Sequence, residues 1–280
     1  TDGANSFLKK VGEALAPLLN KTLYRNRSSI MGIKKFKGVV VYEGASLLDG
    51  KPTVVIATRD TGNRKTGGMV QTFIMRSDID PITASRTGED YSVCGSCIHR
   101  GKANPDKKSG GADDRTCYVM LLMLNSVYSA YKRGSYTKVP PRLVPEWFSG
   151  ELVRLGSYGD PMAVPSWLWD DVLSKAKGHT GYGHQFGVKG ADVRPDLCMI
   201  SVDNVAQAKH QWSLGNRTFR VGNSVDDMVQ GKEILCPASD EAGKRTTCDK
   251  CKLCSGNQIQ AKSVFIPVHG NGKNNYRKVA

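Results

Sequence analysis

From residue 151 onward, short apolar runs alternate with helix-patterned segments, and this alternation narrows the folds open to the chain more than any other feature. ELVRLGSYGD reads as a strand ending in a glycine turn. PSWLWDDVLSKAKG reads as a helix with Pro165 and Ser166 at its start and Gly178 at its end. TGYGHQF is a short strand, and LCMISVDN, VAQAKHQWSLG and RTFRVG follow as strand, helix and strand. Repeated strand–helix–strand is the pattern of parallel βαβ units, so the expected fold is α/β, a complete or partial parallel (β/α) barrel. In such folds chemistry collects on the loops after the C-terminal ends of the strands. Those positions carry Gly156, Ser157, Gly159 and Asp160, then His184 and Gln185, then Asp203 and Asn204.

Upstream, GVVVYEG and PTVVIAT are β-branched runs that read as a hairpin around LLDGKP, and MVQTFIMR is a third strand. Between the last two lies TGNRKTGG, which lacks the full P-loop spacing; it is either a plain hairpin turn or a glycine-flanked anion site. YVMLLMLNSVYSAYKRG predicts a helix stopped by Gly134. At the start, NSFLKKVGEALAPLLN has apolar residues at helical spacing with a kink expected at Pro17, and a basic linker follows. Residues 1–37 are therefore expected to form a helical arm that either packs on its own domain or binds a protein partner. Residues 38–232 are expected to form the α/β barrel-like domain and 233–280 a cysteine-rich module. Trp147, Trp167, Trp169 and Trp212 lie in or near helices and are expected in the core, with stacking on bases as the alternative.

Eight cysteines set the chemistry. Cys248, Cys251 and Cys254 stand at C-x2-C-x2-C, a spacing that lets one turning loop aim three thiolates at a common centre, and Cys236, in a Cys-Pro, supplies a fourth. Four thiolates suit tetrahedral zinc or a [4Fe–4S] cluster, and the spacing does not choose between them. His269 follows an apolar strand within reach of this group, which four cysteines already satisfy. A second group, Cys94, Cys97 and Cys117, is C-x2-C-x19-C and one ligand short. Either His99 or a remote residue closes it as a structural zinc site, or its fourth position stays open, as catalytic metal centres require. Cys198, inside an apolar strand, reads as a buried core thiol.

The net charge of +14 favours nucleic acid as a partner, the alternative being a basic surface kept for solubility. No apolar run is long enough for a membrane helix, and TDGANSFLKK lacks the apolar region of a signal peptide. The expected location is the cytoplasm, where clustered cysteines more often hold metal than form disulfides.

From about residue 38 to the C-terminus the chain resembles a phage-encoded family of the gene-product-88 type. The likeness rests on NRKTGGMVQTFIMR, CGSC with RTCYV, RLGSYGDP, TGYGHQF, ILCPAS, TCDKCKLCSG and SVFIPVHG. A more distant resemblance is to radical S-adenosylmethionine enzymes. Cys94, Cys97 and Cys117 (followed by Tyr118) resemble their cluster-binding cysteines, GSYGDP their glycine-rich turn with an acid, and the C-terminal cysteines their second cluster. The chain differs in the x19 gap, where that superfamily has C-x3-C-x2-C, and in carrying Asp160 where Glu is usual. This resemblance implies iron–sulfur clusters and bound S-adenosylmethionine. Gly156, Gly159 and Asp160, with Asn204, would border the cofactor pocket, and His184 and Asp203 would join Asn204 in facing the substrate. A second likeness, to zinc-containing base-exchanging transglycosylases, implies instead that Asp160 and Asp203 act as nucleophile and general base. The remaining expectation is a zinc-stapled protein that binds DNA or RNA without catalysis.

Overall fold

The computed structural model describes residues 30–270 and 272–278. The helix expected over residues 5–20 lies outside them. The first sheet contains β1 (Gly38–Ala45), β2 (Pro52–Thr58), β3 (Val70–Arg76), β4 (Thr137–Lys138), β5 (Leu152–Tyr158) and β6 (Gly178–Thr180). Their spatial order is β4-β1-β2-β3-β5-β6. The β1–β2 and β2–β3 pairs are antiparallel, as two successive hairpins require, whereas β3–β5 and β5–β6 are parallel. β2, flanked by β1 and β3, is buried at every residue but its first, and Val54, Val55, Ile56 and Ala57 all belong to the main core.

The second sheet contains β7 (Tyr182–Gly183), β8 (Met199–Val202), β9 (Thr218–Gly222), β10 (Glu233–Leu235) and β11 (Ser263–Pro267), in the order β10-β11-β9-β8-β7. All of its pairings are parallel. One residue, Gly181, separates β6 from β7 and carries the chain from one sheet into the other. Its N–H donates to the Cys254 carbonyl at 2.7 Å, and its carbonyl accepts from Met199 N at 3.0 Å. A Cβ here would lie 2.8 Å from Cys198 Sγ and 3.0 Å from Leu155 Cβ, so the crossing needs glycine. The protein is thus a mixed α/β fold in which parallel strands run from β3 through the junction to β10.

The main core lies against the first sheet and includes Trp147, Phe148 and Trp169, all buried. Trp167 differs from expectation: it is 52% exposed, with its edge against Tyr42. The expected boundary before residue 233 is crossed by the sheet itself. β11 lies between β9 and β10, and Cys236 packs with Met199, Phe219 and Val264 in a second core. β10 and β11 complete a sheet instead of standing apart, since β11 satisfies one edge of its backbone by parallel pairing with β9 and the other with β10. Gly178, expected as a helix stop, opens β6; the helix ends earlier, at Leu173. No helix among the described residues is long and apolar enough to cross a membrane.

Candidate functional site

The loop after β3 begins with a short, well-capped helix, Pro81–Thr87. Asp80 accepts hydrogen bonds from the N–H groups of Ile82 and Thr83, Pro81 sits at the first turn, and Gly88 (φ 84°) ends the helix. A second helical turn, Tyr91–Cys94, delivers Cys94, and Cys97 N–H donates back to the Cys94 carbonyl at 3.1 Å. The x19 gap is a hairpin excursion. Lys102 and Asp113 exchange backbone hydrogen bonds at 2.8 and 2.9 Å, which closes the insert and returns the chain to Cys117. Cys117 N–H then donates to the His99 carbonyl at 2.9 Å, and so the long spacing still brings three thiols together.

Gln185, wholly buried, holds this turn. Its Oε1 accepts from Ser96 N at 2.9 Å, and its Nε2 donates to the Cys94 carbonyl at 2.8 Å and to Asp160 Oδ2 at 3.1 Å. Arg100 binds Asp90 Oδ1 at 2.6 Å and also donates to the carbonyls of Gly88 and Gly95. Arg115 donates to the carbonyls of Cys117 and Val119. Burial pushes the Cys94 thiol well up, and the charges of Asp90, Cys97 and Cys117 add to that, against Arg100. Burial likewise raises Cys117. Thiols so placed ionise only with a strong compensating charge, such as a bound metal.

His184, at the end of β7, lies beside the Cys97 sulfur, and its Nε2 is 3.1 Å from Asp203 Oδ1. Burial alone would keep the imidazole neutral. The Cys97 charge, the Asp203 hydrogen bond and the Cys97 hydrogen bond outweigh it, and the His184 pKa stands well above its usual value. At Asp203, burial raises the carboxyl, but the hydrogen bond and charge of His184 bring it below the usual carboxylate range. His99, the local candidate for the fourth ligand, turns its Nδ1 to Thr116 Oγ1 at 2.8 Å and stacks on Tyr276. Burial and the charge of His184 push it down to about 4.

Asp160 is spent inside the protein. Oδ1 accepts from Met162 N at 2.9 Å, and Oδ2 accepts from His184 N at 2.5 Å and from Gln185. The structure thus makes it the residue that positions His184 and the cysteine turn, and burial raises its pKa. Gly156 and Gly159 both have positive φ, and their α-carbons abut Pro161 and Ile74 respectively. Asn204, exposed, caps the helix Val205–Ser213 by accepting from Gln207 N at 2.9 Å.

The C-terminal thiols form a separate centre. Cys236 leaves β10 with its N–H on the Phe265 carbonyl, and Cys248–Cys251 is one helical turn ending at Lys252. All four thiols line one cavity of about 20 Å³, with Thr180, Leu253 and Val264 among its walls. The TGNRKTGG loop supports this centre: Cys248 N–H donates to the Lys65 carbonyl at 2.9 Å, and Gly68 N–H donates to Asp249 at 3.3 Å. Burial pushes Cys254 up to about 12 and raises Cys248 and Cys251. Arg154, a buried guanidinium on β5, lies 3.9 Å over the Tyr182 ring. Its neighbours are Tyr182, Thr180, Cys248 and Cys254, and among the described residues no carboxylate pairs with it. A cation in that position fits a thiolate centre that keeps net negative charge after binding its metal. Among the described residues, no three His, Cys, Asp or Glu side chains converge at the spacing of a single bound ion. Cys198 is a buried core thiol.

Sequence reasoning missed Arg154 and the structural weight of Gln185. Arg154 sits within an apolar strand, where an arginine is itself a signal; nothing local marks Gln185. No protein-family model matches the chain, and neither does a curated protein or a solved structure.

Proposed function

We propose that this chain is an iron–sulfur enzyme with two cysteine centres on a partial parallel (β/α) barrel, acting on nucleic acid or a nucleotide. The observation that carries the reading is a meeting of residues at one edge of the parallel strands. Three thiols from the loop after β3 join His184 and Asp203 from the ends of β7 and β8. A three-thiolate set leaves one coordination position to a ligand from outside the protein, as a reaction centre needs, whereas the four thiolates of the other set leave none. Tetrahedral zinc at about 2.3 Å from each sulfur would draw four sulfurs to about 3.8 Å from one another. The C-terminal thiols line one small cavity, and the choice of a cluster over zinc there rests on the resemblance of their spacing to ferredoxin-type runs.

Cys94, Cys97 and Cys117 would hold the cluster and leave one position for S-adenosylmethionine, and the group so held would supply one-electron chemistry. The chain's own residues have distinct tasks. Gln185 and Asp160 hold the cysteine turn, and Arg100 and Arg115 offset thiolate charge. His184, held charged between Cys97 and Asp203, can donate a proton at that edge. The net charge of +14 suits a polyanionic substrate.

One observation favours a second reading. Cys97, His184 and Asp203 stand in the order of a thiol nucleophile, its base and an orienting carboxylate, which would serve a metal-free covalent mechanism. Metal analysis and visible absorbance of anaerobically purified protein separate the two. Iron near about eight atoms per chain supports two four-iron clusters. Iron near about four, lost on Cys251→Ala but kept on Cys97→Ala, would leave Cys97 to covalent chemistry. Zinc alone would end the iron reading and favour a zinc-stapled nucleic-acid binder or a zinc transglycosylase.

A further inference from the structure

Cys117 is followed by an exposed aromatic residue, and the surface around it is built from three separate parts of the chain. Tyr118 is 55% exposed, and its ring lies 4.5 Å from that of His269, which follows β11. Lys65, from the loop before β3, places Nζ 5.8 Å from the Tyr118 centroid and 3.4 Å from His269 Nε2. The Pro267 carbonyl lies 3.1 Å from His269 Nδ1 and can only accept, so Nδ1 carries the proton and Nε2 receives the ammonium. The lysine head is therefore held over one face of the ring. Among the described residues neither Lys65 nor Arg64 forms an ion pair with a carboxylate. The acids nearest His269 are Asp240 and Glu241, and Asp240 is engaged by Lys244 at 3.0 Å. The exposed side chains of Met120, Leu122 and Met123 extend the apolar surface from Tyr118.

A half-exposed aromatic ring, with a cation fixed over one face and no carboxylate paired to that cation, matches the two elements of single-strand recognition. A base stacks on the ring, and the adjoining phosphate meets the ammonium. A duplex offers neither an unstacked base nor that approach. We infer that Tyr118 and Lys65 form a binding platform for single-stranded nucleic acid, which stacks an unpaired base one residue from the open three-cysteine centre. This inference rests on the nucleic-acid substrate proposed above and specifies its strandedness and entry point.

The test is fluorescence anisotropy with the full chain and labelled oligonucleotides, single-stranded and duplex, across a salt series. Iron content is measured on every variant. Tighter binding of the single strand is expected. Tyr118→Ala should weaken it about 10-fold, and Tyr118→Phe, which keeps the stacking face, should restore it. Lys65→Gln should reduce the salt slope by about 0.7, the contribution of one single-strand phosphate contact. Equal or tighter duplex binding would overturn the platform, as would single-strand binding unchanged in Tyr118→Ala, while the nucleic-acid substrate would stand. Wild-type protein with its full metal content that binds neither form would overturn both.

Discussion

Replacing Arg154 by methionine should change stability with a sign that reveals the charge on the C-terminal thiols. The guanidinium is buried on β5, and its neighbours are Tyr182, Thr180 and two cysteines. If the thiols are neutral, Arg154 is a buried and uncompensated cation, and a methionine of similar length should stabilise the fold by about 1–4 kcal/mol. If four thiolates hold a dication, the centre keeps a charge of about −2, and Arg154 is its nearest compensation. Removal then strands a buried anion, and a loss of about 3–5 kcal/mol is expected. For a chain of 280 residues, with an unfolding entropy of about 0.6 kcal/mol/K, that lowers Tm by about 5–9 °C. The assay is thermal and urea unfolding of anaerobically purified wild type and Arg154→Met, each with its metal content. A variant as stable as wild type, with full metal, would refute the assignment of an anionic centre above Arg154.

Other substitutions separate the roles of the remaining groups. Gln185→Ala removes a wholly buried amide, leaves Ser96 N–H without its partner and takes from the Cys94 carbonyl one of its two donors. It should cost about 2–4 kcal/mol and release metal from the first centre, leaving the C-terminal centre loaded, as absorbance and metal analysis will show. Asp160→Ala strands three donors around His184 and should destabilise by about 3 kcal/mol in urea unfolding; a change below about 0.5 kcal/mol would contradict its positioning role. Cys198→Ala should cost about 1–2 kcal/mol and leave metal content unchanged. His179 is buried, donates to the Leu197 carbonyl at 2.7 Å, and has a pKa lowered chiefly by burial. The unfolded chain therefore takes up the proton first. The stability this neutral histidine contributes is complete above about pH 6.5 and falls as pH drops below that value. His179→Gln should flatten the stability profile on that acid side.

Much of the architecture was legible because it is local. Each strand from 151 to 222 announces itself by apolar patterning and glycine punctuation, and Asn204 caps its helix with chemistry visible in the dipeptide. That the loops after these strands lie along one edge could also be named in advance, since parallel strands share a direction and their C-terminal ends therefore share a side. The exact ends of elements were less legible. Gly178 resembles a helix stop, yet pairing with Leu152 of β5 takes it into a strand.

Within the cysteine groups the same division holds. That Cys248, Cys251 and Cys254 lie together follows from spacing alone, because a single helical turn and the residues after it cannot carry them far apart. That Cys236 joins them depends on β10 pairing with β11, and that Cys117 returns to Cys94 and Cys97 depends on the Lys102–Asp113 bridge. Asp160, read as an acid in a glycine turn, faces inward and braces His184. His184, and not His99, stands against Cys97. The buried cation Arg154 reaches the C-terminal thiols only where two sheets meet at Gly181. Local spacing determines which groups can act as a unit, since it involves few torsions. Which distant groups meet is decided by sheet pairing and core packing, whose free energy is shared among many residues and written in no single segment.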